Sequence, residues 1–471
     1  MHLFKEKWTY IAFFTIVIVS KFLWLIISPD PLFYLGDSAS YLWTAETGWI
    51  PPDRSFVYGI LIGKLLKIAS SLHSVVVFQT FCSILASFAL TYMLIFHVGC
   101  SPKIGCALGT VFALEPIQIF YERFIMTEAL SGLFWTLFLC FGFSFLKNKS
   151  ILKAIGIAVA AVILISLRTA YAPVVLVSIL ALAICALEKN IRSISICVTL
   201  LVAFIALLHG YKVLNGILSK KPPALQYEDG FFLVAVASPL IDREVVERSG
   251  ISLDVYNLWK PFKCTWNSRN AERWLDGGLV NSIKKIYPED ITANKKASEL
   301  AICAIMMRPF GFLKLGIGNY MEYFKKNSLE NEIDEVPSPP NQDPAFGSNI
   351  QMNYGFVRRE NSGIVTEYYK KSLVWHQILL IAPFVYLLFT FKYASRYSVF
   401  YISAYTSAIC VAIFLAPIVV PRYLHPLPAL FLLALGAILG KLRGHFLFPW
   451  LTCVRFKISE PPPSLENISR P

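Results

Sequence analysis

The sequence predicts an all-α, polytopic membrane protein with about ten transmembrane helices and an extracytoplasmic inserted domain. Hydrophobic residues make up 56% of the 471 residues and charged residues only 15%, compared with about 25% charged residues in soluble proteins. Apolar runs of roughly 20 residues, the length needed to cross a bilayer, recur along the chain. One long polar segment, residues 211–371, interrupts them. These patterns indicate two transmembrane modules around a folded insert.

The N-terminal transmembrane module, residues 1–210, begins with an anchor. The apolar run Trp8–Ile27 is too long for a signal peptide and no small-residue cleavage site follows it, so the N-terminus is expected in the cytoplasm. After a first outer loop at residues 29–55, Phe56–Ser71 carries two lysines at helical spacing, which predicts a helix lying in the membrane interface. Further crossings are predicted at Ser74–Phe96, Ile104–Phe120, Ala129–Leu146, Ile151–Leu167, Ala170–Leu187 and Ser193–Leu208.

The polar segment at residues 211–371 has the size of one ordinary soluble domain. Within it, Ala301–Phe324 is apolar but is interrupted by Arg308 and Pro309, which favours helices resting on the membrane over an additional crossing. A C-terminal transmembrane module at residues 372–441 follows. Its crossings are predicted at Ser372–Phe391, Tyr397–Ile418 and Tyr423–Gly440, and residues 442–471 are expected to form a disordered cytoplasmic tail.

Charge places the loops on two sides of the membrane. If the N-terminus is inside, every inner turn carries a basic residue, as the positive-inside rule requires, and the C-terminus is also inside. The first outer loop, the turn near residue 122 and the insert then lie outside. No eukaryotic retention signal is present, which favours a bacterial inner membrane. The net charge of +13 follows from these basic turns. Nucleic acid is not an expected partner, because no basic stripe or aromatic RNA-binding motif accompanies the charge.

Basic residues in the short outer loops break this rule, and all of them are arginines. A guanidinium binds phosphate or carboxylate in a bidentate manner and keeps its charge in a low dielectric, whereas lysine acts as a hydrated point charge. An anionic ligand is one explanation. Contact with lipid headgroups, or pairing with a nearby acid, is the other. The four residues are Arg54, Arg123, Arg168 and Arg422.

Acidic residues accompany these arginines at the outer ends of the spans. Asp37 lies where the chain first leaves the membrane, where partial desolvation tunes the proton affinity of a carboxylate. Glu122 and Glu128 flank the short outer turn at Arg123. Glu128 opens the next apolar run, so it could also serve as an acidic cap at the positive end of a helix.

Four motifs together resemble the GT-C glycosyltransferases, in particular the protein O-mannosyltransferase and aminoarabinose-transferase-like branch. The resemblance covers roughly residues 1–210 and 372–440. The resemblance rests on the order of the motifs along the chain and on the side of the membrane predicted for each, more than on any single motif. Many relatives have an adjacent Asp-Glu pair in the first loop, but here Asp37 is followed by Ser38, which puts a metal-ligand pair at this position in doubt. The motifs are Asp37 with Tyr41, Arg123–Glu128 as Arg-Phe-Ile-x-x-Glu, the lone Arg168, and Arg422–Pro428 as Arg-Tyr-Leu-x-Pro-x-Pro.

This resemblance implies a cell-envelope enzyme that transfers a hexosyl or pentosyl group from a polyprenyl-phosphate donor. The acceptor would be a lipid, glycan or protein on the extracytoplasmic face, with membrane lipids as further partners. Asp37 is the expected base of an inverting displacement. Glu122 and Glu128 would orient the acceptor or bind a divalent cation. The four arginines would bind the donor phosphate, and Tyr41 and Tyr423 would support the donor or acceptor.

Two alternative functions and one disulfide remain open on the sequence. An enzyme similar to O-antigen ligases or polymerases would use arginine and histidine in the large insert. The insert contains no histidine, and the next histidine in the chain is His376. A transporter would have ionisable groups near the middle of the membrane and internal repeats, neither of which is evident. Cys264 and Cys303 share the insert and could form a disulfide if it is extracytoplasmic.

Overall fold

A computed structural model describes residues 2–263, 269–325, 363–390 and 395–442, together with residues 329–330, 333 and 353–354. The described residues form helices joined by short turns, with one isolated β-bridge between Leu32 and Phe124. The predicted all-helical class is therefore confirmed for this part of the chain. The predicted tail beyond Leu442 lies outside the described residues.

In the described part of the chain, the N-terminal module consists of ten α-helices, and many of its packing contacts join helices that are not consecutive in the chain. The bounds are α1 His2–Ile27, α2 Leu35–Thr47, α3 Val57–Ala69, α4 His73–Phe96, α5 Pro102–Ala113, α6 Pro116–Tyr121, α7 Glu128–Lys147, α8 Ile151–Leu167, α9 Ala172–Ala186 and α10 Ile191–Ser219. The insert then begins with short helices, and two longer ones end it: α11 Asp229–Ala237, α12 Arg243–Arg248, α13 Leu253–Trp259, α14 Ala271–Trp274, α15 Leu279–Ile286, α16 Asp290–Met307 and α17 Pro309–Glu322. The C-terminal helices are α18 Gly363–Lys371, α19 Val374–Thr390, α20 Arg396–Phe414 and α21 Leu427–Leu442.

Seven helices of the described chain are long and apolar enough to cross a membrane: α1, α4, α7, α10, α20, the α9 helix with the 3₁₀ turn before it, and α21 with the 3₁₀ turn before it. The shorter apolar helices α5, α8 and α19 account for the other predicted crossings. The chain is thus an integral, multi-pass membrane protein, and crossing by the shorter helices stays a prediction.

Ion pairs and hydrogen bonds connect helix termini at two ends of the bundle. At the first, here called the basic end, Lys149 Nζ lies 2.6 Å from Glu188, and Arg396 Nη1 lies 2.9 Å from the same carboxylate. Lys147 donates to the carbonyl of Phe96 there. These contacts join the C-terminal ends of α4, α7 and α9 to the N-terminal end of α20.

The other group of helix termini, here called the first-loop end, is formed by termini of α1, α7, α8 and α21, and α7 contributes its opposite terminus. Residues 28–34 after α1 lie against residue 124, and Arg168 after α8 lies 3.0 Å from Glu128 at the start of α7. Arg168 also donates to the carbonyl of Arg422, just before α21. Because α7 runs from Glu128 to Lys147, the two groups lie at opposite ends of the bundle.

Two predicted crossings differ from the structure. The run Ile104–Phe120 is broken between α5 and α6, because Pro116 lacks an amide hydrogen and keeps Glu115 out of the helical region. The Glu115 carboxylate caps α6 by accepting from the backbone N–H of Gln118. The last crossing of the module does not end at Leu208, since α10 continues to Ser219 through the boundary predicted at residue 210.

The insert has a hydrophobic core of its own, built from α11 to α16 and centred on buried residues such as Trp259. Helices α16 and α17 bend by 98° at Arg308 and Pro309, where proline cannot continue the preceding helix. The thiol of Cys303 lies against the carbonyl of Val245. Cys264 lies outside the described residues, so its pairing with Cys303 stays a prediction.

The arrangement of helix ends predicts which loops face outward. Cysteine introduced at exposed Thr47, at the first-loop end, should react with an impermeant thiol reagent in intact cells. Cysteine at exposed Lys189, at the basic end, should react only after permeabilisation, because basic loops remain in the cytoplasm. Labelling is measured against the unsubstituted chain, which corrects for native cysteines. Reaction at position 189 in intact cells would contradict this sidedness.

Candidate active site

Asp37 lies in the first turn of α2, where a carboxylate is stabilised by the positive end of the helix. The residue before the helix, Tyr34, is extended, and its backbone N–H donates to Ser38 Oγ at 2.8 Å. Ser38 therefore fixes the start of α2 instead of supplying a second carboxylate beside Asp37.

Two arginines bind the carboxylate of Asp37. Arg54 Nη1 lies 2.8 Å from Oδ1, and Arg422 Nη1 donates to Oδ2 at 2.7 Å. The three side chains are partly buried, with 22% of Asp37, 14% of Arg54 and 18% of Arg422 exposed. Residues 385 positions apart in the sequence thus meet at one carboxylate.

Further acids and arginines extend this contact in the direction of the insert. Arg54 binds Asp53 through two parallel hydrogen bonds, from Nε at 3.0 Å and from Nη2 at 2.5 Å. Arg273 of α14 lies 3.2 Å from Asp53 and 2.7 Å from Glu228. Neither Arg273 nor Glu228 was selected from the sequence, because both lie in a segment with many charges of both signs.

In the other direction the contacts continue through Arg168. Its Nη1 donates to the backbone carbonyl of Arg422 at 3.3 Å and to Glu128 Oε1 at 3.0 Å. Glu128 is almost fully buried. Acids and arginines therefore form one connected set, here called the ion-pair chain. They alternate except where Arg168 contacts the backbone of Arg422. The set consists of Glu228, Arg273, Asp53, Arg54, Asp37, Arg422, Arg168 and Glu128.

Aromatic rings cover the guanidinium groups at the centre of the ion-pair chain. Arg54 lies 5.6 Å from the ring centre of Tyr41, and Arg168 lies 5.1 Å from that of Tyr423. Arg422 lies 4.7 Å from the ring centre of Tyr34, a residue for which the sequence contains no distinguishing motif. Such rings attract cations through their π faces and limit access of water. The arginines are held in place while parts of their N–H edges remain available.

Electrostatics keeps the central carboxylates ionised. Burial alone would raise the pKa of Asp37, but the charges of Arg54 and Arg422 outweigh it and hold the pKa well below its ordinary value. The pKa of Asp53 is also lowered against the effect of burial, chiefly by Arg54. A carboxylate in this state is a weak proton acceptor.

Glu122 and Arg123 lie outside the ion-pair chain. Glu122 forms an ion pair with Lys21 of α1, and both side chains are fully buried. Arg123, also fully buried, donates to Thr80 Oγ1 of α4 at 3.0 Å. A local contact explains why Glu122 and Arg123 lie outside the ion-pair chain. The side-chain amide of Gln79 donates to the carbonyls of Glu122 and Phe124 and fixes this turn against α4. The predicted site residues Asp37, Arg54, Arg168, Arg422, Glu128, Tyr41 and Tyr423 are thus brought together, whereas Glu122 and Arg123 are not.

The acids at the site do not form a metal-binding group. Among the described residues, no three side chains of histidine, cysteine, aspartate or glutamate converge in a way that could hold a metal ion. Each of Asp37, Asp53 and Glu128 is instead neutralised by an arginine. Arginines therefore provide the positive charge beside these carboxylates, and binding of a divalent cation stays a prediction.

Comparison with known proteins gives little guidance about the family. No protein-family model matches the chain, and no curated protein matches it. Among solved structures, the chain is similar to the crystal structure of ArnT from Cupriavidus metallidurans in the apo state, with 11% identity and a TM-score of 0.36, over 90% of this chain and 76% of that one. Similarity at this level supports no conclusion about function.

The separate location of Glu122 leads to a test of its predicted catalytic role. Glu122→Gln leaves Lys21 buried without a counter-ion, which should cost roughly 3–5 kcal/mol of stability and lower the melting temperature. Adding Lys21→Met should restore much of the loss, because no unpaired charge then remains. Melting temperature and turnover are measured on the same preparations. A stable Glu122→Gln protein with little turnover would instead support the catalytic role predicted from the sequence.

Proposed function

We propose that the protein is a membrane glycosyltransferase that transfers a sugar from a polyprenyl-phosphate donor to an acceptor hydroxyl at the first-loop end. The observation that carries the proposal is the position of the Asp37 carboxylate between Arg54 and Arg422. An aromatic ring lies over each of these arginines, and all three residues lie at one end of an apolar helix bundle. The resemblance of the sequence motifs to GT-C glycosyltransferases supports the same conclusion.

The arginines suit a phosphate leaving group. A sugar linked to polyprenyl phosphate carries one negative charge, and cleavage leaves a phosphate monoester with a second. Preorganised guanidinium groups stabilise charge that develops in this way. Arg54 and Arg422 both contact Asp37, and Arg168 donates to the backbone carbonyl of Arg422, so a phosphate at Asp37 would lie between two arginines with the third beside them.

Asp37 is the proposed base. When the donor phosphate takes over the N–H groups of Arg54 and Arg422, the carboxylate loses the charges that lower its pKa. The acceptor oxygen attacks the anomeric carbon, its proton moves to Asp37, and the carbon–oxygen bond to phosphate breaks with its electron pair. Polyprenyl phosphate leaves and the configuration inverts. Donor binding and activation of the base are thereby coupled.

The rest of the bundle suits a lipid-linked donor. Apolar side chains exposed on the spanning helices offer a surface along which a polyprenyl tail can lie. The first-loop end is opposite the basic end, which the positive-inside rule assigns to the cytoplasm. The reaction is therefore proposed on the extracytoplasmic face of a cell-envelope membrane. A transporter is less well supported, because the ion-pair chain lies at one end of the bundle and not midway along it.

The competition between Asp37 and phosphate predicts an unusual pair of effects. Asp37→Asn should reduce turnover by about 100-fold or more, because the proton acceptor is lost. The same substitution should strengthen binding of farnesyl phosphate, since Arg54 and Arg422 no longer pair with the carboxylate of Asp37. Turnover is measured with polyprenyl-phosphate-linked glucose, mannose and aminoarabinose, and affinity by calorimetry.

Melting temperatures of the same preparations serve as the control for folding. Asp37→Asn removes the carboxylate partner of Arg422 and leaves Arg54 with Asp53 alone, so its melting temperature should fall, and farnesyl phosphate should restore it more than it does for the parent protein. A folded Asp37→Asn protein with near-normal turnover would remove Asp37 from the mechanism.

The arginines can be tested without removing their charge. Arg54→Lys, Arg168→Lys and Arg422→Lys should each weaken binding of farnesyl phosphate by about ten- to one-hundred-fold, because the lost charge-assisted hydrogen bond contributes roughly 1.5–3 kcal/mol. Arg396→Lys, at the basic end, is the matched control and should have no effect. Unchanged affinity in all three site variants would indicate that these arginines contact lipid headgroups or serve only the ion-pair chain.

A further inference from the structure

A second group of polar residues lies beside the ion-pair chain, on the first two turns of α7. Glu128, Ser131, Gly132 and Trp135 are spaced so that they share one face of this helix. Trp135 donates to the carbonyl of Pro426 at 3.0 Å, which places the residues before α21 against this face. Only Glu128 of this group was selected from the sequence.

Three other elements bring polar side chains to the same face. A methyl group at Gly132 would lie 2.8 Å from the ring of His425 and 3.3 Å from Gln118 Oε1, so both side chains lie over this glycine. Tyr171 follows Arg168, and its ring centre is 5.9 Å from that of Trp135. The resulting group, here called the α7 polar cluster, consists of Gln118, Glu128, Ser131, Tyr171 and His425.

The members of the α7 polar cluster have hydrogen-bonding atoms that nothing in the described part of the chain satisfies. Each residue is more than nine-tenths buried. The atoms are Gln118 Nε2, Glu128 Oε2, Ser131 Oγ, Tyr171 Oη and both ring nitrogens of His425. Buried polar atoms without partners are rare in folded proteins, because each costs the free energy of its lost hydration. Several of them on four neighbouring elements indicate a site for a polar ligand.

We infer that the α7 polar cluster binds the hydroxyl groups of the donor sugar. The inference rests on the proposed function and identifies the site of the group that is transferred. Gln118, Ser131 and Tyr171 offer hydrogen-bond donors, the free oxygen of Glu128 is an acceptor, and a neutral His425 offers one of each. Sugar hydroxyls both donate and accept, so they match this mixture, whereas an anion or an apolar group does not.

The position of the cluster agrees with the chemistry of the donor. In a phosphate-linked sugar the ring is bonded directly to a phosphate oxygen, so the sugar must lie next to the phosphate site. Glu128 belongs to both groups, because its Oε1 binds Arg168 of the ion-pair chain and its Oε2 is free in the cluster. The sugar would therefore extend from the arginines along α7, toward His425.

Removal of single hydroxyl groups tests the inference with little change in shape. Tyr171→Phe and Ser131→Ala should each weaken binding of farnesyl-phosphate-linked glucose, mannose or aminoarabinose by about three- to ten-fold, the usual contribution of one neutral hydrogen bond. Binding of farnesyl phosphate, which lacks the sugar, should not change. Tyr320→Phe and Ser178→Ala remove hydroxyls that bond to backbone elsewhere and are the matched controls.

Melting temperature separates a ligand site from a structural role. Neither hydroxyl has a partner within the described chain, so its removal should leave the melting temperature of the free protein unchanged or slightly raised. A clear decrease would show that the hydroxyls support the fold and would overturn the inference.

The failure of this inference can be distinguished from failure of the proposed function. If Arg422→Lys weakens both ligands but Tyr171→Phe and Ser131→Ala weaken neither, the phosphate site stands and the cluster holds only water. If the unsubstituted protein binds neither farnesyl phosphate nor its sugar conjugates, the proposed function fails and the inference fails with it. A loss confined to the sugar conjugates supports both.

Discussion

The contact of Asp37 with Arg54 and Arg422 is the interaction on which the rest of the site depends. It joins the first loop, the start of α2 and the turn before α21, which no local structure would bring together. A partly buried carboxylate with two guanidinium partners is stable only while all three remain, because an unpaired buried charge is costly. The geometry of the first-loop end is therefore fixed by charge neutralisation as much as by packing.

Alternation of acids and arginines also couples the insert to the membrane part. Arg273 of α14 bonds to Asp53 in the first loop, and the backbone N–H of Tyr227 donates to the carbonyl of Pro52 at 2.7 Å. Close packing of α2 on α3 at Gly59 holds the loop between them, since any side chain there would meet Thr44. These contacts connect the insert to the loop that carries Arg54, one of the two partners of Asp37.

The site contains two kinds of polar environment that suit two parts of one substrate. In the ion-pair chain, every carboxylate is paired and positive charge can be transferred to an incoming anion. In the α7 polar cluster, neutral hydroxyl, amide and imidazole groups remain unsatisfied. Glu128 belongs to both, and the Lys21 and Glu122 pair lies apart, as an internal contact of α1 with the turn before α7. A phosphate-linked sugar has the same division into a charged and a hydroxylated part.

The sequence by itself determined the helical class, most of the spanning segments, and the end of the bundle at which acids and arginines gather, because hydropathy and loop charge are local properties. It also singled out Asp37, Arg54, Arg168, Arg422 and Glu128 by residue type. Only the tertiary structure decided that Glu122 turns inward to Lys21, that Pro116 breaks a predicted crossing, and that Arg273 and His425 reach the site. Those outcomes depend on which helix faces meet, and contacts between residues far apart in the sequence leave no periodic or compositional pattern.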